Sequence, residues 1–182
     1  MRRQAFSSIL LLCGIGSTIA CQSPSNRSPL FAALTTDSTV VTAYHRGIGY
    51  SANIGFNLMN TSGVTISRAG CGGPGWPDLE KKENGQWVPA YYPIIMTCRT
   101  DPDFSWKPGA RIRDTLHFQA FERGHNTGPE IRVDSINGVY RLRWSFTEGP
   151  EAGRRGARTV MAISNAFVMT LASSPAPASK TR

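Results

Sequence analysis

The fold of this chain is decided by the stretch Asp134–Phe146, whose sequence is DSINGVYRLRWSF. After the turn residues Asn137 and Gly138, apolar and polar side chains alternate. This period of two predicts a strand with one buried face and one solvated face. The face predicted to be buried carries Tyr140, Leu142, Trp144 and Phe146, and the opposite face carries Arg141 and Arg143.

The same alternation recurs along the chain, with turn residues about every eight to twelve positions. Asn84-Gly85 stands between two strand-like runs and predicts a hairpin with a type I′ turn. After the first twenty residues no long helical stripe appears. The chain is therefore expected to be all-β, an antiparallel sandwich of about seven to nine strands. The other predicted strands are Val40–Tyr44, Tyr50–Met59, Val64–Arg68, Leu79–Glu83, Gln86–Ala90, Arg111–Phe121 and Val160–Leu171.

Residues 134–140 resemble the approach to strand F of an immunoglobulin-like domain, where a tyrosine forms a tyrosine corner. That resemblance implies that the hydroxyl of Tyr140 bonds to the backbone near Asp134 to Ile136. Antibody domains have a Cys two residues after this Tyr, whereas this chain has Leu142. Because of this departure, a Cys71–Cys98 disulfide cannot be the usual inter-sheet bridge of such domains.

The order of motifs over residues 57–143 resembles that of bacterial lipoproteins with a single immunoglobulin-like domain. The resemblance implies an immunoglobulin-like antiparallel β-sandwich, and it implies no particular activity because a fold does not specify a function. The motifs are Asn57 and Asn60, Cys71, the hairpin Lys81–Trp87, Cys98, Pro108-Gly109 and Gly138-Val139-Tyr140-Arg141.

The N-terminal segment has the composition of an export signal. Arg2 and Arg3 precede an apolar run, Ala5–Ala20, that is too short to span a bilayer. The run ends in Ser17-Thr18-Ile19-Ala20-Cys21, which resembles the lipobox of bacterial lipoproteins, with Thr18 where Leu is usual. The resemblance implies a lipid, including palmitate, on Cys21 and a membrane-anchored protein outside the cytoplasm. The alternative is an uncleaved N-terminal anchor helix.

Composition divides the rest of the chain. Residues 1–20 are the predicted signal peptide and 21–36 a Ser/Pro-containing flexible linker. Residues 37–172 are the predicted domain, and 173–182 are a tail rich in Ser, Pro and Ala that is expected to be disordered. If the cell has two membranes, Gln22 resembles the residue that follows the lipid-bearing Cys in outer-membrane lipoproteins.

Two of the four cysteines remain once Cys13 leaves with the signal and Cys21 takes the lipid. In an oxidising compartment Cys71 and Cys98 are expected to form a disulfide, worth about 3.5 kcal/mol on the loop-entropy model. A metal site would need a third ligand, from His45, His117 or His125. Because no Cys-x-x-Cys or His-x-x-x-His spacing supports such a site, neither metal nor cofactor is expected.

The chain is basic, with a formal net charge of +8. Most of its basic residues are Arg, whose guanidinium group suits carboxylate, phosphate and sulfate partners. Such a surface fits anionic polysaccharide or lipid headgroups of the envelope, or serves solubility alone. Nucleic acid is not expected, since no nucleic-acid-binding motif appears.

Catalysis is not expected, because the folded part contains no Gly-x-Ser-x-Gly or Ser-x-x-Lys motif. The sequence instead predicts a structural or protein-binding module of the cell envelope. The alternative is glycan or small-ligand binding through aromatic side chains near the two cysteines. Exposed Trp76 and Trp106 in a concave site would favour a glycan, and a flat apolar sheet face or free strand edge would favour a protein. The candidate binding patch comprises Trp76, Tyr91, Tyr92, Trp106, Arg99 and Lys107.

Overall fold

The computed structural model describes residues 32–69, 75–92, 104–125, 128–150 and 158–173, which form thirteen strands and no helix. The strands are β1 (Ala32–Thr36), β2 (Val40–Arg46), β3 (Gly49–Asn60), β4 (Ile66–Arg68), β5 (Asp78–Glu83), β6 (Gln86–Pro89), β7 (Tyr91–Tyr92), β8 (Phe104–Trp106), β9 (Arg111–Phe121), β10 (Glu130–Ile131), β11 (Gly138–Glu148), β12 (Thr159–Ile163) and β13 (Phe167–Leu171).

Two sheets are built around the two longest strand pairings. In the first, here called the β3 sheet, β3 pairs antiparallel with β9 on one edge and with β1 and the end of β2 on the other. In the second, the β11 sheet, β11 pairs antiparallel with β5 and β4 on one edge and with β12 and β13 on the other. Shorter strands extend both sheets, with β10 and β7 beyond β9, β6 beyond β5 and β8 beyond β4.

Strand β2 belongs to both sheets. Val40–Ala43 pair in parallel with β13, and Tyr44–Arg46 then pair antiparallel with β3. Between the pairs Thr36–Phe56 and Tyr44–Ser51, the β1–β2 segment has three more residues than β3. This extra length lets the strand leave one sheet, reach the other and return, which closes one corner of the sandwich.

The core lies between the apolar sides of β3, β9 and β11. Phe56 of β3 meets Trp144 of β11 edge to face, with ring centroids 5.5 Å apart. Strands β1, β3 and β9 in one sheet, and β5, β11 and β12–β13 in the other, occupy the places of strands A, B, E and C, F, G of an immunoglobulin-like sandwich. The predicted fold class is therefore confirmed. The twelve bulkiest fully buried residues are Trp144, Tyr140, Phe56, Phe118, Phe146, Phe167, Ile54, Leu58, Ile66, Leu79, Leu116 and Leu142.

The loop that leads into β11 is held by two side chains. Tyr140 is fully buried, and its hydroxyl donates a hydrogen bond to the carbonyl of Ile136 at 2.7 Å. Lys81, opposite Tyr140 in the sheet, donates from Nζ to the carbonyl of Ser135 at 2.7 Å. Gly138 has φ +152°, and a Cβ there would lie 2.6 Å from Cε of Lys81. The burial and the hydrogen bond predicted for Tyr140 are both present.

Local turn chemistry also agrees with the sequence. Asn84 and Gly85 have φ of 49° and 82°, and they connect β5 to β6 with Glu83 opposite Gln86. Both residues of a type I′ turn need positive φ, which Asn and Gly tolerate best. The predicted β5–β6 hairpin is confirmed.

Three boundaries differ from the sequence-based predictions. The linker predicted to reach residue 36 ends earlier, because Ala32–Thr36 form β1 and pair with β3. The single strand predicted over Val160–Leu171 is two strands, β12 and β13. The described residues form thirteen strands, whereas seven to nine were predicted. The number is higher because four strands have only two or three residues, and because the β1–β2 and β12–β13 edges are each interrupted.

The interruption between β12 and β13 is made by Ser164, whose side chain stands in for a strand hydrogen bond. The N–H of Leu142 donates to Oγ of Ser164 at 2.8 Å, and the N–H of Ser164 donates to the carbonyl of Leu142 at 2.9 Å. Leu142 is completely buried. The Ser164 hydroxyl therefore supplies the acceptor that a regular strand would have provided.

We expect Ser164→Ala to lower the free energy of unfolding by about 1–3 kcal/mol, because the buried Leu142 N–H loses its acceptor. Urea denaturation of the purified protein measures the change. Ser164→Thr keeps the hydroxyl and is expected to retain most of the stability. An Ala variant that unfolds at the wild-type midpoint would contradict this role.

Candidate functional site

The aromatic patch predicted from the sequence does not assemble. Trp106 packs into the core, with ring centroids 6.1 Å from Trp144 and 5.6 Å from Phe146. Tyr91 packs edge to face on Phe118 at 5.2 Å, and burial raises its pKa above the ordinary value, with a further contribution from Asp78. Both rings serve the core because strands β11 and β9 lie directly beneath them. Trp106 is half-buried, so Trp76 and Trp106 do not form the exposed pair that would favour a glycan.

The other members of the predicted patch are dispersed. Lys107 is exposed in the turn between β8 and β9, where its carbonyl accepts a hydrogen bond from the N–H of Ala110. Tyr92 pairs through its backbone with Glu130. Four residues of the sequence-based predictions lie outside the described residues: the lipidation site Cys21, the disulfide pair Cys71 and Cys98, and Arg99.

Trp76 joins a different group of residues, on the outer side of the β3 sheet. Its ring is 46% exposed and meets His117 edge to face at 6.3 Å. His117 points away from the core, since its neighbours Leu116 and Phe118 on β9 are buried. The register places Asn53 opposite His117, and Nδ1 of His117 lies 2.9 Å from Oδ1 of Asn53. Trp76, His117 and Asn53 thus form one row across the sheet.

A second row runs beside the first. Gln119 of β9 lies opposite Ser51 of β3, and Ser51 lies opposite Tyr44 of β2. Tyr44 is 48% exposed, and the guanidinium of Arg46 stands 6.0 Å from its ring centroid. The strand residues of the two rows line an open groove of about 530 Å³, here called the outer groove, and Trp76 stands beside it against the lining residue His117. Its polar and aromatic lining residues are Thr42, Tyr44, Arg46, Ser51, Asn53, His117 and Gln119.

The outer groove offers hydrogen-bonding groups that the fold does not use. Among the described residues, no hydrogen bond engages the side chains of Thr42, Ser51 or Gln119. When Nδ1 of His117 donates to Asn53, Nε2 is an acceptor in the neutral ring and a donor in the protonated ring. The groove can therefore both donate to and accept from a polar ligand.

Four charged residues on the outer side of the β11 sheet, Asp78, Glu80, Arg141 and Arg143, are paired with one another. Glu80 is buried and lies 2.7 Å from Nε of Arg141 and 3.2 Å from Nε of Arg143. Asp78 lies 3.4 Å from Arg143, and the guanidinium of Arg141 covers the ring of Trp87 at 4.4 Å. These arginines are neutralised within the fold, so this network is a structural feature of the sheet.

Next to this network lies a short apolar row. Val139 of β11, Val168 of β13 and Val40 of β2 are neighbours in register, and they are 38%, 41% and 56% exposed. Such a flat apolar face is the feature that the sequence analysis associated with a protein partner. Three valines alone are too small a patch for a stable protein interface, which buries about 800 Å² on each partner.

Within the part of the chain that the structure describes, no group of three or more His, Cys, Asp or Glu residues is placed to hold a metal ion. The same residues include no helix long and apolar enough to cross a membrane. The groove residues were missed by the sequence analysis, although Ser51, Asn53 and His117 lie on the polar sides of predicted strands. These side chains come together only through the pairing and register of the strands, which the sequence pattern does not reveal.

No protein-family model matches the chain, and no curated protein sequence matches it either. Among solved structures, the ASH/PapD-like domain of human CEP192 (PapD-like domain 7) is similar, with 12% identity and a TM-score of 0.31. The match covers 93% of this chain and 100% of that chain. The strand order and the tyrosine corner are the features that make the fold immunoglobulin-like.

Proposed function

We propose that the chain is an exported lipoprotein of the cell envelope that acts as a non-catalytic binding module through its outer groove. The observation that carries the proposal is the placing of Tyr44 and Trp76. Both residues stay nearly half exposed; Tyr44 lines the groove, and Trp76 stands against the groove residue His117. Rings of this kind contribute large contact areas when they meet a ligand, and they contribute little to the core while they remain in water.

The leader sequence supports the export and the anchor. Ten residues separate Cys21 from β1, and a fully extended chain of that length spans at most about 35 Å. A lipid on Cys21 would therefore keep the domain close to the membrane surface. From there the groove would meet envelope components, and the net positive charge would favour anionic ones.

The anchor is tested by replacing the cysteine. We expect Cys21→Ser to abolish incorporation of labelled palmitate and to move the protein out of the mature membrane-bound pool. Cys13→Ser, a matched change within the signal, is expected to leave the labelling intact. Undiminished labelling of the Cys21→Ser protein would refute lipidation at this residue.

The groove is tested by retention of envelope material on the detergent-solubilised full-length protein. Tyr44→Ala and Trp76→Ala are expected to reduce retention, whereas Lys107→Ala, an exposed change outside the groove, is expected to have no effect. Groove variants that retain as much material as the wild type would refute the groove as the binding site.

The apolar row supports a second candidate, in which the module binds an envelope protein through the β11 sheet. Val168→Glu places a charge at the centre of that row and leaves the outer groove unchanged. If this substitution abolishes retention of a protein component while Trp76→Ala does not, the second candidate replaces the first.

A further inference from the structure

We infer that the outer groove binds a segment of an acidic polysaccharide, with Arg46 facing a sugar carboxylate and with Tyr44 and Trp76 facing sugar rings. The inference rests on the proposed function and names the ligand class of the same site. Three features of the site support the inference: its charge, its hydrogen-bonding groups and its two aromatic residues.

The charge in the groove comes from Arg46. Among the described residues, no Asp or Glu lines the groove, and Arg46 forms no ion pair, only the contact with Tyr44. Arg141 and Arg143 of β11 differ, since both are paired with carboxylates. A guanidinium without a carboxylate partner presents parallel N–H groups that match the two oxygens of a ligand carboxylate.

The remaining polar groups suit a hydroxyl-rich ligand. Ser51 and Thr42 have hydroxyls that both donate and accept, and the amide of Gln119 does the same with separate atoms. These groups are uncharged and lie side by side on neighbouring strands. A phosphate site would instead be expected to use clustered cations or backbone N–H groups at a helix N-terminus or nest. The described residues contain no helix.

The aromatic rings indicate an extended ligand. Tyr44 is on β2, and Trp76 contacts His117 of β9. Strands β2 and β9 are two strand spacings apart, about 10 Å, so a ligand that reaches from Tyr44 to the row of His117 spans more than one sugar ring. Because the groove is open rather than enclosed, an internal segment of a polymer can lie across it, and no chain end has to enter. An acidic polysaccharide combines repeated rings, many hydroxyls and a carboxylate on each acidic unit.

The test uses the full-length protein in non-ionic detergent and three probes: polygalacturonate, its full methyl ester and polyglutamate. We expect calorimetry at physiological ionic strength to show binding of polygalacturonate in preference to the other two. Tyr44→Ala and Trp76→Ala are each expected to raise the Kd for polygalacturonate about tenfold, and Trp76→Phe to restore most of the affinity. Unfolding midpoints confirm that the variants are folded.

The acidic group is tested by a matched pair of substitutions. Arg46→Gln is expected to weaken polygalacturonate binding about tenfold and to abolish the preference over the methyl ester, while Lys107→Gln removes the same charge outside the groove without this effect. Equal binding of ester and acid by the wild type would overturn the acidic assignment. Polyglutamate binding as tight as polygalacturonate binding, with no effect of Trp76→Ala, would overturn the polysaccharide assignment.

Failure of this inference and failure of the proposed function give different results. Groove-dependent retention of envelope material without binding of polygalacturonate would refute the ligand class and leave the proposed function standing. Loss of groove dependence in both assays would refute both.

Discussion

Tyr140→Ala is expected to lower the free energy of unfolding by about 3–5 kcal/mol, because it removes a fully buried aromatic ring from the core. Tyr140→Phe keeps the ring, which stacks near Phe167 with centroids 6.1 Å apart, and deletes only the hydrogen bond to the Ile136 carbonyl. That variant is expected to lose about 1 kcal/mol, and up to about 3 kcal/mol if the carbonyl stays without a donor. Urea denaturation measures both losses.

Tyr44→Phe is the matched control, since the Tyr44 ring is 48% exposed and the same hydroxyl is removed. It is expected to leave the unfolding midpoint near the wild-type value. If Tyr140→Phe also unfolds at the wild-type midpoint, the corner hydrogen bond does not stabilise the fold.

The same residue gives a pH dependence. Burial, together with the charge of Glu83, raises the pKa of the Tyr140 hydroxyl above its ordinary value of 10.0. Above about pH 10 the unfolded chain loses this proton while the folded chain keeps it, so the free energy of unfolding falls as pH rises. One such group contributes at most about 1.4 kcal/mol per pH unit. Tyr140→Phe is expected to flatten the alkaline decline, and an unchanged slope would contradict this.

Glu80→Gln is expected to lower the free energy of unfolding by about 2 kcal/mol. Among the described residues, Glu80 is the one carboxylate that meets both Arg141 and Arg143 from a buried position, and its removal leaves these arginines with the exposed Asp78. Breaking a fully buried ion pair costs about 3–5 kcal/mol, and the partial exposure of these arginines, 21% and 37%, reduces that cost.

Asp78→Asn provides the control from the same strand and the same ion-pair network. Asp78 is 47% exposed and lies 3.4 Å from Arg143, so its removal is expected to cost about 0.5 kcal/mol or less. Urea is the suitable denaturant because it does not screen charges. Equal losses for Glu80→Gln and Asp78→Asn would show that burial of Glu80 does not govern the stability of the network.

Much of the fold can be predicted from neighbouring residues. The alternation in β3, β9 and β11 predicts which sides are buried, because successive side chains of a strand point to opposite faces. Asn84-Gly85 predicts its turn because both residues tolerate positive φ. Tyr140 and Ile136 are four residues apart, so the corner bond depends on short-range geometry. The N-terminal signal and the role of Cys21 are also read from sequence, and they stay predictions.

Features that depend on strand partners could not be predicted in this way. Trp76, Tyr91 and Trp106 are aromatic residues of one interval of the chain, yet of the three only Trp76 is exposed, and the other two are half-buried. Their burial depends on what lies beneath them, which for Trp106 is Trp144 of a strand far along the chain. The break at Ser164 is equally non-local, since its hydroxyl matters only because the N–H of Leu142 faces it.

The sequence by itself determined the all-β class, the buried sides of the long strands, the β5–β6 turn and the corner at Tyr140, because each follows from backbone geometry over a few residues. Tertiary structure alone decided the outer groove. His117 and Asn53 are 64 residues apart in sequence and meet only through the β3–β9 register, while Tyr44 joins them because β2 crosses from one sheet to the other. Side-chain alternation specifies which face a residue occupies, and only strand pairing specifies the neighbours that it meets there.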